Sequence, residues 1–154
     1  ILNAYKKRPK RKVSQTPKFY FNDIGIVNFL AKRKTLQPGS ELYGKALENW
    51  VFHELKCHSQ YREIFYELSY WRLSTGAEVD FIVGDMEVAI EVKASSNIKN
   101  VHLKGLRELI KDQPQVKQRI IVCLETLERI TEDNIHIMPA TVFCQKLWDG
   151  KIHR

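Results

Sequence analysis

Residues 76–93 read Gly-Ala-Glu-Val-Asp-Phe-Ile-Val-Gly-Asp-Met-Glu-Val-Ala-Ile-Glu-Val-Lys, and they put charge into what otherwise reads as a buried β-hairpin. Val79, Phe81 and Val83 alternate with Asp80 and Ile82, while Val88, Ile90 and Val92 alternate with Ala89, Glu91 and Lys93. A period of two is that of a strand. One face of the predicted hairpin is therefore apolar throughout, and the other presents Asp80, Glu91 and Lys93. With residues 84–87 as the turn, Val83 pairs with Val88, and counting outward sets Asp80 opposite Glu91 with Cβ atoms roughly 4.5–5.5 Å apart. Like charges facing each other destabilise a sheet. A positive charge between them removes the conflict, and a hard divalent cation with oxygen ligands has the right chemistry. Lys93 can then steady an attacking hydroxide or a phosphate oxygen. The plainer alternative is a solvated face on which Lys93 merely offsets two acids. Against it stands the nearly unbroken apolar run around Glu91, which is typical of a strand covered on both sides.

Composition bounds the rest. A chain of 154 residues, 44% hydrophobic and 28% charged, suits one domain with a real core. No apolar run approaches the roughly 18 residues of a membrane span and nothing resembles a signal peptide, so a cytoplasmic protein with no membrane partner is predicted. Cys57, Cys123 and Cys144 are odd in number and scattered, which predicts reduced, mostly buried thiols rather than a disulfide framework. His53 and Cys57 sit four apart on a predicted helix, but two ligands do not make a zinc site, and they are read as packing. Of the 25 basic residues, Lys6, Lys7, Arg8, Lys10, Arg11, Lys12 and Lys18 fall in the first 18 positions with no acid among them, and the 18 basic and 18 acidic residues that follow balance. A basic arm of this kind is a solvated linker or a nucleic-acid contact. The chain opens on Ile1 rather than methionine, as a piece of a longer protein does.

Along the chain, residues 18–21 read as a short strand and 24–31 as a short helix capped by Asn22 or Asp23. Residues 32–40, with Pro38-Gly39, form a loop. A helix over about 44–58 places Leu47, Val51 and Leu55 on one stripe, with Glu48 beside Phe52 and Leu55. A strand over 67–73 precedes the hairpin. Leu103, Leu106, Leu109 and Ile110 mark a helix ending before Pro114, and residues 120–124 form a continuous apolar run typical of a buried parallel strand. The second hairpin strand, this helix and this run make a βαβ unit. Residues 135–137 and 142–148 complete the domain.

This order, α-β-β-β-α-β, with Asp80 on one hairpin strand and Glu91-Val92-Lys93 on the next, resembles the PD-(D/E)XK nuclease superfamily. The resemblance implies an α/β fold with a restriction-endonuclease-like core, a mixed central sheet flanked by helices. The proline-aspartate half of the motif is altered here to Val79-Asp80. In Holliday junction resolvases of that superfamily an early helix begins with glycine and carries a metal-site glutamate four residues on, a spacing reproduced by Gly44 and Glu48; Glu54 on the same helix is the alternative. A closer resemblance runs through residues 16–25, 44–55, Tyr70-Trp71-Arg72, 78–82 and 90–95, and is to the C-terminal nuclease-like domain of bacterial and archaeal AAA-type ATPases. It implies that residues 1–16, the basic arm, are the end of an upstream winged helix, that residues 17–154 are the nuclease-like domain, and that ATP belongs only to the upstream ATPase module, with an oligomer left open.

The segment 39–46, Gly-Ser-Glu-Leu-Tyr-Gly-Lys-Ala, nearly spells a phosphate-binding Walker A loop, but Ala46 replaces the hydroxyl that holds Mg²⁺ and no buried strand precedes it. The expectation is hydrolysis of nucleic acid phosphodiesters, DNA before RNA. Asp80, Glu91 and the Val92 carbonyl would hold Mg²⁺ or Mn²⁺, Glu48 would complete the site, and Lys93 would position or activate water. The alternative is a catalytically inactive module that docks a partner or DNA to the ATPase.

Overall fold

The computed structural model describes residues 1–7, 11–12 and 16–153, which adopt a mixed α/β fold. Arg8 and Lys10 of the basic arm, and Ser14 near the expected domain boundary, lie outside the described residues. The elements run α1 (Ile24–Leu30), α2 (Glu41–Tyr61), β1 (Leu68–Arg72), β2 (Glu78–Val83), β3 (Val88–Val92), α3 (Lys104–Asp112), β4 (Gln118–Cys123), β5 (Arg129–Ile130), β6 (Ile135–Pro139) and α4 (Ala140–Trp148), with a 3₁₀ turn at Asn100–Leu103 leading into α3. Among the described residues the six strands make one sheet in the order β1-β2-β3-β4-β6-β5. The β1–β2, β2–β3 and β5–β6 pairs are antiparallel, and β3–β4 and β4–β6 are parallel.

Burial explains the layering. All five residues of β3 are buried, as its apolar run requires, because helices cover both faces of the sheet. On one face α2 and α4 bring Val51, Phe52, Leu55, Phe143 and Leu147 against Phe81, Ile90 and Val122. On the other, Leu106 and Leu109 of α3 pack on Ile82, Ala89 and Ile121. The β3-α3-β4 connection between parallel neighbours is the βαβ unit read from the pattern.

The hairpin register is the expected one from Val83 opposite Val88 to Phe81 opposite Ile90, but the ladder ends there and does not include the expected Asp80–Glu91 pair, the Val92 N–H donating to the Asp80 side chain instead. The expected apolar face is broken as well. Against β1, Ser69 pairs with Ile82 but Trp71 pairs with Val79, so β2 spends three steps where β1 spends two. This β-bulge breaks the alternation at Asp80–Phe81, and Val79 joins Ile82 in the core under α3 while Phe81 and Val83 stay under α2.

Two further expectations change, and a third is narrowed to one of its alternatives. Helix α2 begins at Glu41 rather than near Gly44 because the Ser40 hydroxyl caps it, accepting from the Tyr43 N–H, and it runs on to Tyr61. The same cap accounts for the Walker-like segment, which is a helix start. For α1 it is Asp23 that caps, accepting from the N–H groups of Gly25 and Ile26. Finally, residues 18–21 form no strand; Lys18 makes a single bridge to Leu2. What replaces a strand neighbour is Asn49 of α2, whose side-chain amide donates to the Phe21 carbonyl and accepts from its N–H, both at 2.9 Å. Asn49→Ala is expected to cost about 1–2 kcal/mol by removing both bonds, read as a lower melting temperature.

The first residues pack on the domain. Leu2, Ala4 and Tyr5 are buried in its cores, and the outer edge of β1 is engaged there, with the Tyr5 N–H donating to the Tyr70 carbonyl (2.7 Å) and the Tyr70 N–H to the Asn3 carbonyl (3.1 Å).

Candidate active site

Where the N-terminal end of β2 meets the C-terminal end of β3, a cleft of about 590 Å³ is lined by Glu48, Asp80, Glu91 and Lys93 together with Lys18, Glu78 and Gly105. The bulge sits at this spot and turns Asp80 out of the regular alternation, a common use of bulges beside functional sites. Asp80 is 7% and Glu91 5% exposed. One Asp80 oxygen accepts the Val92 N–H at 2.9 Å, and the other lies 3.0 Å from the Lys18 ammonium. In extended backbone the N–H and C=O of one residue project to the same side, so the Val92 carbonyl also faces the Asp80 side of β3.

Glu91 pairs through Oε1 with Lys93 Nζ at 2.5 Å. Its Oε2 is buried with no hydrogen-bond partner. Burial, followed by the nearby charge of Asp80, pushes the Glu91 carboxyl well above its ordinary range. Glu48 is raised for the same two reasons, burial first. Burial alone would lower the pKa of Lys93, but Glu91, Asp80 and Glu48 together more than offset it, so the amine is held in its charged form.

Helix α2 settles which of its two candidate glutamates, Glu48 or Glu54, reaches the cleft. Glu48 accepts from the Tyr20 hydroxyl and lies 3.2 Å from the Lys18 ammonium. Glu54 faces α4, where its Oε2 accepts the Trp148 indole N–H at 2.9 Å and meets the Cys144 thiol. His53 and Cys57 touch each other at 3.3 Å. Of the three thiols only Cys123 is buried; Cys57 and Cys144 are half-buried.

Four participants were missed in the sequence. Lys18, read there as part of a charge run, pairs with Glu48, Glu78 and Asp80 at once. Tyr20 stacks on Phe52 with ring centroids 4.6 Å apart and carries its hydroxyl to Glu48. Glu78, two residues before Asp80 on the same strand, was open to the same argument as Asp80. Gly105 lets α3 approach β2 closely: a methyl at that position would sit 2.0 Å from the Glu78 carbonyl oxygen and 3.6 Å from Glu91 Oε2.

The all-oxygen donor set and the unpartnered Glu91 oxygen suit a hard divalent cation. No three acidic, histidine or cysteine side chains among the described residues, however, converge on a metal position as the side chains stand. The arm is likewise used internally: Arg11 reaches Glu108 and Asp112 of α3 at 2.9 and 3.2 Å, and Lys7 lies 3.9 Å from both Glu67 and Asp85.

Residues 43–143 match the family described as Domain of unknown function (DUF4143). The chain belongs to the DUF4143 family. DUF4143 domains are found in AAA-ATPase-associated proteins. The match contains Glu48, Asp80, Glu91 and Lys93, whereas Lys18 and Tyr20 precede it. No curated protein and no solved structure matches this DUF4143 chain. No helix among its described residues is long and apolar enough to cross a membrane.

Proposed function

We propose that this domain is a divalent-metal-dependent phosphodiester hydrolase for nucleic acid, DNA before RNA, built on a restriction-endonuclease-like core and working beside an AAA-type ATPase. One observation carries the reading: Glu48, Asp80, Glu91 and Lys93 line a single cleft in which a buried carboxylate oxygen has no partner. The order α2-β1-β2-β3-α3-β4 supports the core assignment. Asp80, Glu91 and the Val92 carbonyl would hold Mg²⁺ or Mn²⁺, with Glu48 joining directly or through water. When bound, such an ion polarises a phosphoryl oxygen and lowers the pKa of the attacking water. Lys93, kept protonated by the surrounding carboxylates, acts as a donor to the phosphate or to that water rather than as a proton acceptor. Tyr20 and the Val92 N–H fix the Glu48 and Asp80 carboxylates.

A second reading, a nuclease-fold module that docks DNA or a protein without cutting, is favoured by Lys18, which already balances part of the cluster. Incubation with plasmid and branched DNA in Mn²⁺ or in EDTA separates the two. Cutting is expected only with Mn²⁺, and Asp80→Asn and Lys93→Ala should each reduce it by at least about 100-fold. Lys93→Ala should keep a Mn²⁺-dependent rise in melting temperature, and Asp80→Asn should lose it. DNA binding with neither cutting nor a Mn²⁺ shift in the parent would establish the docking reading.

A further inference from the structure

The ammonium of Lys18 occupies the centre of the carboxylate cluster. It lies 3.0 Å from Asp80 Oδ1 and 3.2 Å from Glu48 Oε1, and it also pairs with Glu78. An ammonium has three N–H donors, and three carboxylates take them here. Its side chain is only 21% exposed, and its backbone is held by reciprocal hydrogen bonds with Leu2, Lys18 N–H to Leu2 carbonyl at 2.9 Å and Leu2 N–H to Lys18 carbonyl at 2.8 Å. Three acids so close together repel one another in a poorly hydrated cleft. A charge from elsewhere in the chain relieves that repulsion.

We propose that Lys18 is a positioning residue that serves as the built-in counter-cation of the site, holding Glu48 and Asp80 together in the metal-free protein and yielding them when a divalent cation enters. The inference rests on the metal-dependent reading above. A cation held by Asp80 and Glu48 needs the oxygen lone pairs that Lys18 now takes, and a positive ammonium within about 4 Å of a doubly charged ion is strongly repelled. The two compete for the same carboxylate oxygens, Glu48 Oε1 and Asp80 Oδ1. The four-carbon stem of lysine is flexible, so the ammonium can swing toward the open side of the cleft while the Leu2 bridge keeps the backbone fixed. Metal binding then carries the cost of displacing Lys18, and the apparent affinity is lower than the carboxylates alone would give.

Mn²⁺ titration by calorimetry or electron paramagnetic resonance tests this. Lys18→Gln should bind Mn²⁺ on the order of tenfold more tightly than the parent. Lys18→Arg, which keeps the charge, should stay near the parent, and Lys45→Gln on the exposed part of α2 should change affinity little. A second measurement needs no substitution. Amine acylation followed by mass spectrometry should find Lys18 protected in EDTA and labelled on the order of tenfold faster in saturating Mn²⁺, with Lys45 labelled equally in both.

If the parent binds Mn²⁺ while Lys18→Gln binds it equally or more weakly and Lys18 labelling is unchanged, the counter-cation inference is overturned and the hydrolase reading stands. If no variant binds Mn²⁺ at millimolar concentration, both fall together.

Discussion

Gly105→Ala should destabilise the domain by about 3 kcal/mol, lowering its melting temperature by roughly 6–12 °C. Judged from helix propensity the change has the opposite sign, because alanine in a helix is favoured over glycine by roughly 1 kcal/mol. Tertiary contact reverses it. A methyl at residue 105 would lie 2.0 Å from the carbonyl oxygen of Glu78. That oxygen is backbone of a paired strand and cannot rotate aside, so α3 must lift off β2. The displacement would be felt at Asp80, two residues along, and at Glu91, whose Oε2 is 3.6 Å from the same methyl position. The Mn²⁺-dependent rise in melting temperature should therefore weaken as well. A variant that melts at or above the parent temperature would refute so close an approach of α3.

In EDTA at neutral pH, Glu91→Gln should be more stable than the parent, since a carboxyl that holds its proton more tightly in the folded state loses stability as it ionises. The sign follows from proton binding. Burial and the charge of Asp80 raise the Glu91 carboxyl in the folded state, so the folded protein holds that proton more tightly than the unfolded chain does. Stability from this group is full below the unfolded carboxyl range and is lost as pH rises through the raised folded value. The amide carries no such loss, and Lys93, with a side chain 35% exposed, can be hydrated once its partner is neutral. The advantage of Glu91→Gln should thus grow as pH rises above the ordinary carboxyl range and vanish as pH falls into it, with Glu48 leaving a slope of the same sign in both proteins. Added Mn²⁺ should invert the order, stabilising the parent by linkage and leaving the variant where it was. Equal melting temperatures across this range would mean that Glu91 is hydrated rather than buried.

The alternation of residues 79–92, the apolar run of 120–124 and the helical spacing between them determined by themselves the hairpin register and the βαβ unit, because these patterns are local and each has only one way to bury its apolar face. They also singled out Asp80, Glu91 and Lys93, which stand out as charges among apolar neighbours. The departure of Val79 from its expected face was not determined locally: it depends on a bulge whose existence is a property of the β1–β2 pair. Glu48 and Glu54 lie six residues apart, about 240° round a helix, so they face different ways, and only the packing of α2 against β3 on one side and α4 on the other decided that Glu48 points into the cleft. Lys18 is 62 residues from Asp80. In the sequence it is one more positive charge near a basic arm, whereas in the folded chain the Leu2 bridge and the grip of Asn49 on Phe21 bring it into a cluster of acids, where long-range electrostatics and scarce water give it a partner set that no local pattern encodes.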